Sequence, residues 1–317
     1  MASEGTRTET SDVEELLRHA YARIREHDLS GAGKIIEDAL SVDFDNIEVV
    51  TALKYVNFWR DRIARLDGIL NPFEKGEYLL SQWGLFVGFV GRVGRLADNC
   101  LYAVRQHVFG EALAHFSELV KDVEPDDPEL LLRIGRCYKG RGEFDKALGY
   151  LESAARERRD DAQILSELAD CYEMVNETQK SKAFFREAFF LDPQKVDLTS
   201  LESKMLERLA EAVAEQGHTG PLLKEWIPVY GVLYGVFTVK RELRSIELGK
   251  LKQAIYQLER EYGDSGNTDQ AIEARLINRY FWLIDHYVGA NEDTGKLDEV
   301  LLKLRAVNPT VYRKYVN

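Results

Sequence analysis

"RIGRCYKGRGEFDKALGYLESAARERRD" (133–160) and "ELADCYEMVNETQKSKAFFREAFFLDP" (167–193) carry one pattern twice. Cys137-Tyr138 and Cys171-Tyr172 stand 34 residues apart. At the same offset Ile134 matches Leu168, Gly135 matches Ala169, Leu151 matches Phe185 and Ala154 matches Ala188. Within each half of a copy, apolar residues recur at three and four, which lines one face of a helix. The pattern predicts two antiparallel helices per copy. Gly135 and Ala169 are small where the helices cross, Tyr138 and Tyr172 fill the space beside them, and Ala147 and Ser181 are small on the second helix. Strand-like alternation is nearly absent along the chain, so the fold is predicted to be all-α.

A 34-residue helix-turn-helix period with this order of small and large residues resembles the tetratricopeptide repeat. The resemblance is clearest over 128–195, where Pro193 closes one copy and Arg159 takes the equivalent place in the other. Ala32, Ile36 and Ala39 repeat the spacing over 12–45, and Ala112, Phe116 and Leu119 repeat it over 93–127. Between them lies an expanded unit, 46–92. Near the end, 278–311 reads as a degenerate repeat, with Asp285 where a small residue is usual. The expected organisation is therefore a disordered tail over 1–11, repeats over 12–195 and a helical C-terminal region over 196–317. "EQGHTGP" (215–221) is the strongest break in between, and "YGDSGNTD" (262–269) is a second loop. Helix starts are predicted at Ser11 with Glu14, at Thr199 with Glu202, and at Asp127 with Pro128 in the first helical position.

One apolar stretch, "WGLFVGFVGRVG" (83–94), admits three readings: a membrane span, a phosphate loop or a packed helix. A spanning helix needs about 20 apolar residues, and here Glu77 and Arg92 bound the uncharged run. A dinucleotide loop needs Gly-x-Gly-x-x-Gly after a strand, and the Gly-x-Gly pair is missing. On a helix, Gly84, Gly88 and Gly91 line one face, and Leu79, Trp83, Phe86 and Val90 line another. The expectation is a helix buried all round, its glycines seated against a neighbour.

The chain has 317 residues, 45% of them hydrophobic, and a net charge of −12, a globular composition that disfavours general binding to nucleic acid or anionic lipid. Its N-terminal residues carry no secretory signal pattern, so a cytoplasmic location and no membrane insertion are expected. Cys100, Cys137 and Cys171 form no C-x-x-C pair and read as buried thiols. "SGAGKI" (30–35) resembles the end of a P-loop, but Asp28 and Ile35 stand where that motif needs a glycine and a Ser or Thr. His19, His27, His107, His115, His218 and His286 form no ligand or catalytic signature in the sequence. No cofactor, metal or catalytic residue is expected, and the chain is read as a non-enzyme.

The resemblance implies a right-handed superhelix whose groove, lined by first helices, binds a peptide or helix of another protein. Carried over by position, its inner face is Glu129, Leu132, Arg136 and Lys139 from one repeat and Gln163, Ser166, Asp170 and Glu173 from the next. Leu132 and Arg136 stand where relatives that bind chaperone C-termini carry Lys and Asn, which disfavours that ligand. The expected function is a protein-binding adaptor or scaffold. The alternative is a structural subunit that self-assembles or docks into a larger complex through Tyr280, Phe281, Trp282 and Tyr287.

Overall fold

The computed structural model describes residues 2–120, 127–240, 243–266, 268–291 and 294–317, with side chains described from residue 12 onward. Among them are α-helices and short 3-10 turns and no strand. By compactness the chain divides into two units, Met1–Ala154 and Ala155–Asn317. This division lies within the clearest repeats, whereas the sequence reading put its boundary at 195/196.

The first unit holds α1 (Ala2–Arg25), α2 (Leu29–Val42), α3 (Ile47–Ile63), α4 (Pro72–Val93), α5 (Asp98–Glu118) and α6 (Pro128–Gly140), together with most of α7 (Phe144–Glu157). The second holds α8 (Ala162–Met174), α9 (Thr178–Leu191), α10 (Lys204–Glu215), α11 (Gly220–Leu233), α12 (Ser245–Asp264), α13 (Gln270–Gly289), α14 (Thr294–Val307) and α15 (Pro309–Val316). No helix among the described residues is long and apolar enough to cross a membrane.

The 34-residue register returns as geometry. Asp127 and Asp161 cap α6 and α8, each accepting a hydrogen bond from the backbone N–H two residues on. Gly142 (φ +78°) and Asn176 (φ +63°) turn the chain in the left-handed conformation. The N–H groups that follow them, of Glu143 and Glu177, donate to the carbonyls of Tyr138 and Tyr172. Tyr138 stacks on Tyr150 at 5.4 Å, and Tyr172 stacks on Phe184 at 5.5 Å. Lys146 and Lys180 lie over the same two tyrosine rings. At the α6/α7 crossing a Cβ on Gly135 would stand 2.7 Å from Leu151 Cγ, so any larger residue must displace Leu151. Ala147, Ala154, Ala169, Ser181 and Ala188 are all buried.

Three local expectations change. α1 already runs through Ser11, so that residue does not start a helix, and the side chains of 1–11, expected as a tail, lie outside those described. Among the described residues of 93–127 there is one long helix, α5, in place of a helix pair. α10 starts at Lys204 with Ser203 as its cap, because Thr199 bonds to Asp197 instead and the chain turns there. The start at Asp127-Pro128 is as expected, and α13 and α14 lie over the stretch read as a degenerate repeat. Asp285, odd for a crossing position, is buried and paired with Arg186 of α9 and, at 3.0 Å, with Lys240.

The apolar stretch at 83–94 corrects a larger expectation. Leu79, Phe86 and Val90 are buried, and Trp83 stacks on buried Trp59 at 6.2 Å. The glycine face, however, points outward: added Cβ atoms would meet nothing within 4 Å at Gly84 and Gly91, and only Arg92 of the same helix, at 3.9 Å, at Gly88. Leu85 and Val87 are exposed beside them. The α4 glycine that does need to be glycine is Gly76, whose Cβ would collide with the Phe116 ring.

Two glycines should therefore answer a substitution with opposite signs. Gly135→Ala must push Leu151 aside and should destabilise the protein by about 1–3 kcal/mol. Gly88→Ala enters open space in a helix and should stabilise it by up to about 1 kcal/mol. Denaturant titrations of both variants beside the parent check this, and equal shifts would contradict the assignment of the two faces.

Candidate partner-binding site

The eight residues expected to line a groove do not form an open surface. On α6, Leu132 and Lys139 are 0% and 3% exposed, so neither can receive a ligand anchor in this arrangement. Glu129 is half-buried and paired at 2.6 Å with Arg133, which also reaches Glu77 of α4. Arg136 is half-buried as well. On α8, Gln163 is half-buried, and Ser166 is buried and donates to the Gln163 carbonyl at 2.9 Å.

The two acidic residues of α8 bind this chain itself. Asp170, 0% exposed, accepts hydrogen bonds from the backbone N–H groups of Glu202 and, at 2.7 Å, Ser203. Glu173 accepts from the Met205 N–H at 3.2 Å and from the Ser203 hydroxyl. Glu167, also buried, accepts from the Ser200 hydroxyl at 2.8 Å. Three carboxylates at one turn's spacing thus hold residues 200–205 and satisfy the donors at the start of α10, where a helix leaves N–H groups unpaired and favours negative charge. Asp170 and Glu173, carried over as groove residues, cap the next helix.

The aromatic residues expected as an interface, Tyr280, Phe281, Trp282 and Tyr287, are all buried on α13. Trp282 packs on Phe190 at 4.2 Å, and Phe281 stacks on Tyr315 at 4.6 Å. They are core of the second unit because α13 is enclosed by α9, α11, α12 and α14.

A concave site does exist in the second unit, between α11, α13 and α15. Trp226, Tyr230 and Leu233 lie at i, i+4 and i+7 on α11 and form one wall of a cleft of about 240 Å³. His218, from the turn before α11, stacks on Trp226 at 4.5 Å with the rings 9° from parallel. Val311 closes the apolar side. Gln270 and Thr310 stand on the rim, and Lys314 holds its ammonium 5.5 Å over the Tyr230 ring. Glu273 accepts a hydrogen bond from Asn308 Nδ2 at 2.6 Å, and Asn308 also caps α15.

Burial raises the Glu273 carboxyl pKa, and the Asn308 hydrogen bond works against that. Burial lowers the His218 pKa and raises that of Tyr230, so imidazole and phenol are both neutral at pH 7. The indole Nε1 of Trp226 is buried with no hydrogen-bond partner. The cleft is smaller than the roughly 300–1,000 Å³ typical of small-molecule sites. Its volume and aromatic wall suit one large side chain, with a cation and a carboxylate at hand to orient the segment that carries it. Trp226, Tyr230 and Leu233 stand at helical spacing, but α13 and α15 follow tens of residues later, and nothing local announces that they face this wall.

Residues 103–171, from within α5 to within α8, match the family model described as tetratricopeptide repeat. No curated protein matches the chain. Repeats of this family are protein-interaction modules, and their stacked helix pairs typically carry no chemistry of their own.

The capping role of α8 is directly testable. Asp170→Ala leaves the N–H groups of residues 202 and 203 without their carboxylate and should cost about 1.5–3 kcal/mol or more, the range for hydrogen bonds to a charged group. Hydrogen exchange should show the start of α10 loosening while α6 keeps its protection. Unchanged protection over 202–206 would remove Asp170 from this role.

Proposed function

We propose that this tetratricopeptide-repeat chain is a non-enzymatic adaptor that docks a segment of another protein by seating one large apolar or aromatic side chain in the α11/α13/α15 cleft. The observation that carries the reading is the aromatic wall of His218 stacked on Trp226 with Tyr230 tilted beside them, left concave and bordered by Lys314 and Glu273. Aromatic pockets of this kind supply affinity, whereas rim charges mainly set orientation and on-rate. A peptide with a bulky apolar anchor flanked by one acidic and one basic residue fits this arrangement. The net charge of −12 favours a partner that is neutral or basic overall.

Panning a displayed peptide library against the purified protein tests this. Peptides enriched by the parent should share a bulky apolar residue and bind at least about tenfold more weakly to Gln270→Trp, which fills the cleft from its exposed rim, a loss of about 1.4 kcal/mol. Lys314→Glu should change the flanking charge preference. Selection that is indifferent to both variants places the binding site elsewhere.

A second reading, a subunit that self-assembles or docks into a larger complex, is supported by the outward face of α4. There Leu85 and Val87 are 58% and 47% exposed next to Gly84, Gly88 and Gly91. On this reading light scattering finds an oligomer that Leu85→Glu dissociates. A monomer at all concentrations removes self-assembly.

A further inference from the structure

Three polar side chains far apart in sequence meet in the first unit. His27 lies in the α1/α2 turn, and His107 and Glu111 stand one turn apart on α5. His27 Nδ1 is 2.5 Å from Glu111 Oε1 and 3.1 Å from His107 Nδ1, and the three atoms lie within 4.8 Å of one another. His107 is 2% exposed, and its Nε2 is buried without a hydrogen-bond partner, so Nδ1 is the edge of this ring that meets another polar group. The side chains of His27 and Glu111 are 44% and 29% exposed, which leaves the cluster open to solvent on one side.

No placement of one proton suits all three groups. A proton on His27 Nδ1 serves Glu111 and leaves the His107 Nδ1 lone pair sharing it at best. A proton on His107 Nδ1 serves His27 and sets two lone-pair bearers, His27 Nδ1 and the carboxylate, 2.5 Å apart. A cation satisfies all three at once. Four ligands placed tetrahedrally at the 2.0–2.1 Å of Zn–N and Zn–O bonds stand about 3.3 Å from one another. The two imidazole nitrogens are at 3.1 Å, and the flexible Glu111 side chain draws back from its 2.5 Å approach to His27.

The backbone supports the same conclusion. His27 has φ +66° and occupies the turn position that Gly142 and Asn176 take in later hairpins, with the same pair of backbone hydrogen bonds around it. Any residue but glycine is uncommon in that conformation, and histidine, like asparagine, is among those that adopt it most readily. Across from it on α5, a Cβ added at Gly110 would stand in ordinary contact with the ring, 3.4 Å from His27 Cε1.

We propose that His27, His107 and Glu111 bind one divalent transition-metal ion, Zn²⁺ by ligand type, through the two Nδ1 atoms and a carboxylate oxygen, with water in the fourth position. Imidazole and carboxylate together suit Zn²⁺ better than the all-oxygen sets of Mg²⁺ or Ca²⁺. The ion would tie the α1/α2 turn to α5, linking elements 80 residues apart.

The test uses the full chain stripped of metal and titrated with Zn²⁺ against a chromophoric chelator, with Co²⁺ as a spectroscopic substitute. One equivalent should bind, the melting temperature should rise because only the folded state holds the site, and Co²⁺ should show the intense visible absorption of low coordination number. His27→Asn keeps a residue that tolerates the turn, as Asn176 does, and should weaken binding by more than about 100-fold, beyond the usual effect of outer-shell changes. Glu111→Gln should weaken it at least about tenfold. Cooperative melting of both variants confirms that they are folded. No saturable binding by the parent, or binding that neither variant weakens, overturns the site.

Discussion

Each hairpin depends on one steric constraint: its two helices can close on each other only where one of them presents almost no side chain. At Gly135 a single added carbon would stand 2.7 Å from Leu151 Cγ. With that gap closed, Tyr138 can stack on Tyr150, the turn at Gly142 can adopt its positive φ, and Leu151 and Ala154 can bury completely. The same set of contacts returns 34 residues later around Ala169, Tyr172, Asn176 and Phe185. Interiors this dense transmit small volume changes, which fits the Gly, Ala and Ser found at the crossing positions of these two hairpins.

The turn that closes a hairpin is constrained in a different way. It demands a left-handed residue but leaves the side chain pointing away from the crossing, so Gly142, Asn176 and His27 all satisfy it. Chemistry can be placed there without disturbing the packing below, as at His27, whose ring meets His107 and Glu111 of α5. Loops on a rigid scaffold are where such variation is cheapest.

Charges inside the second unit follow one rule: each buried one has a partner. Glu225, 2% exposed, holds Arg275 through two hydrogen bonds of 2.6 and 3.0 Å and also accepts from Gln194. Asp285 pairs with Arg186. Asp170 and Glu173 cap α10. Removing one member of such a set leaves the other buried and uncompensated, which costs more than the pair itself contributes. These polar contacts fix which helix follows which, because an apolar surface alone would accept several neighbours.

The sequence by itself determined the all-helical class, the 34-residue register, the crossing residues from Gly135 to Ala188 and the Asp127 cap. All of these rest on contacts within about 20 residues, where spacing on a helix implies proximity in space. The tertiary structure alone decided which faces are covered. Periodicity showed that α4 has an apolar face and a glycine face, and it could not show that the glycine face meets solvent while Gly76 meets Phe116. Asp170 reads as a groove residue until residues 202 and 203 are seen to fold onto it. Tyr280, Phe281, Trp282 and Tyr287 read as an interface until four helices enclose them. The cleft beside Trp226 and the meeting of His27 with His107 join residues tens of positions apart. Burial is a property of neighbours, and neighbours at that separation are chosen by the packing of the whole unit, which no local pattern records.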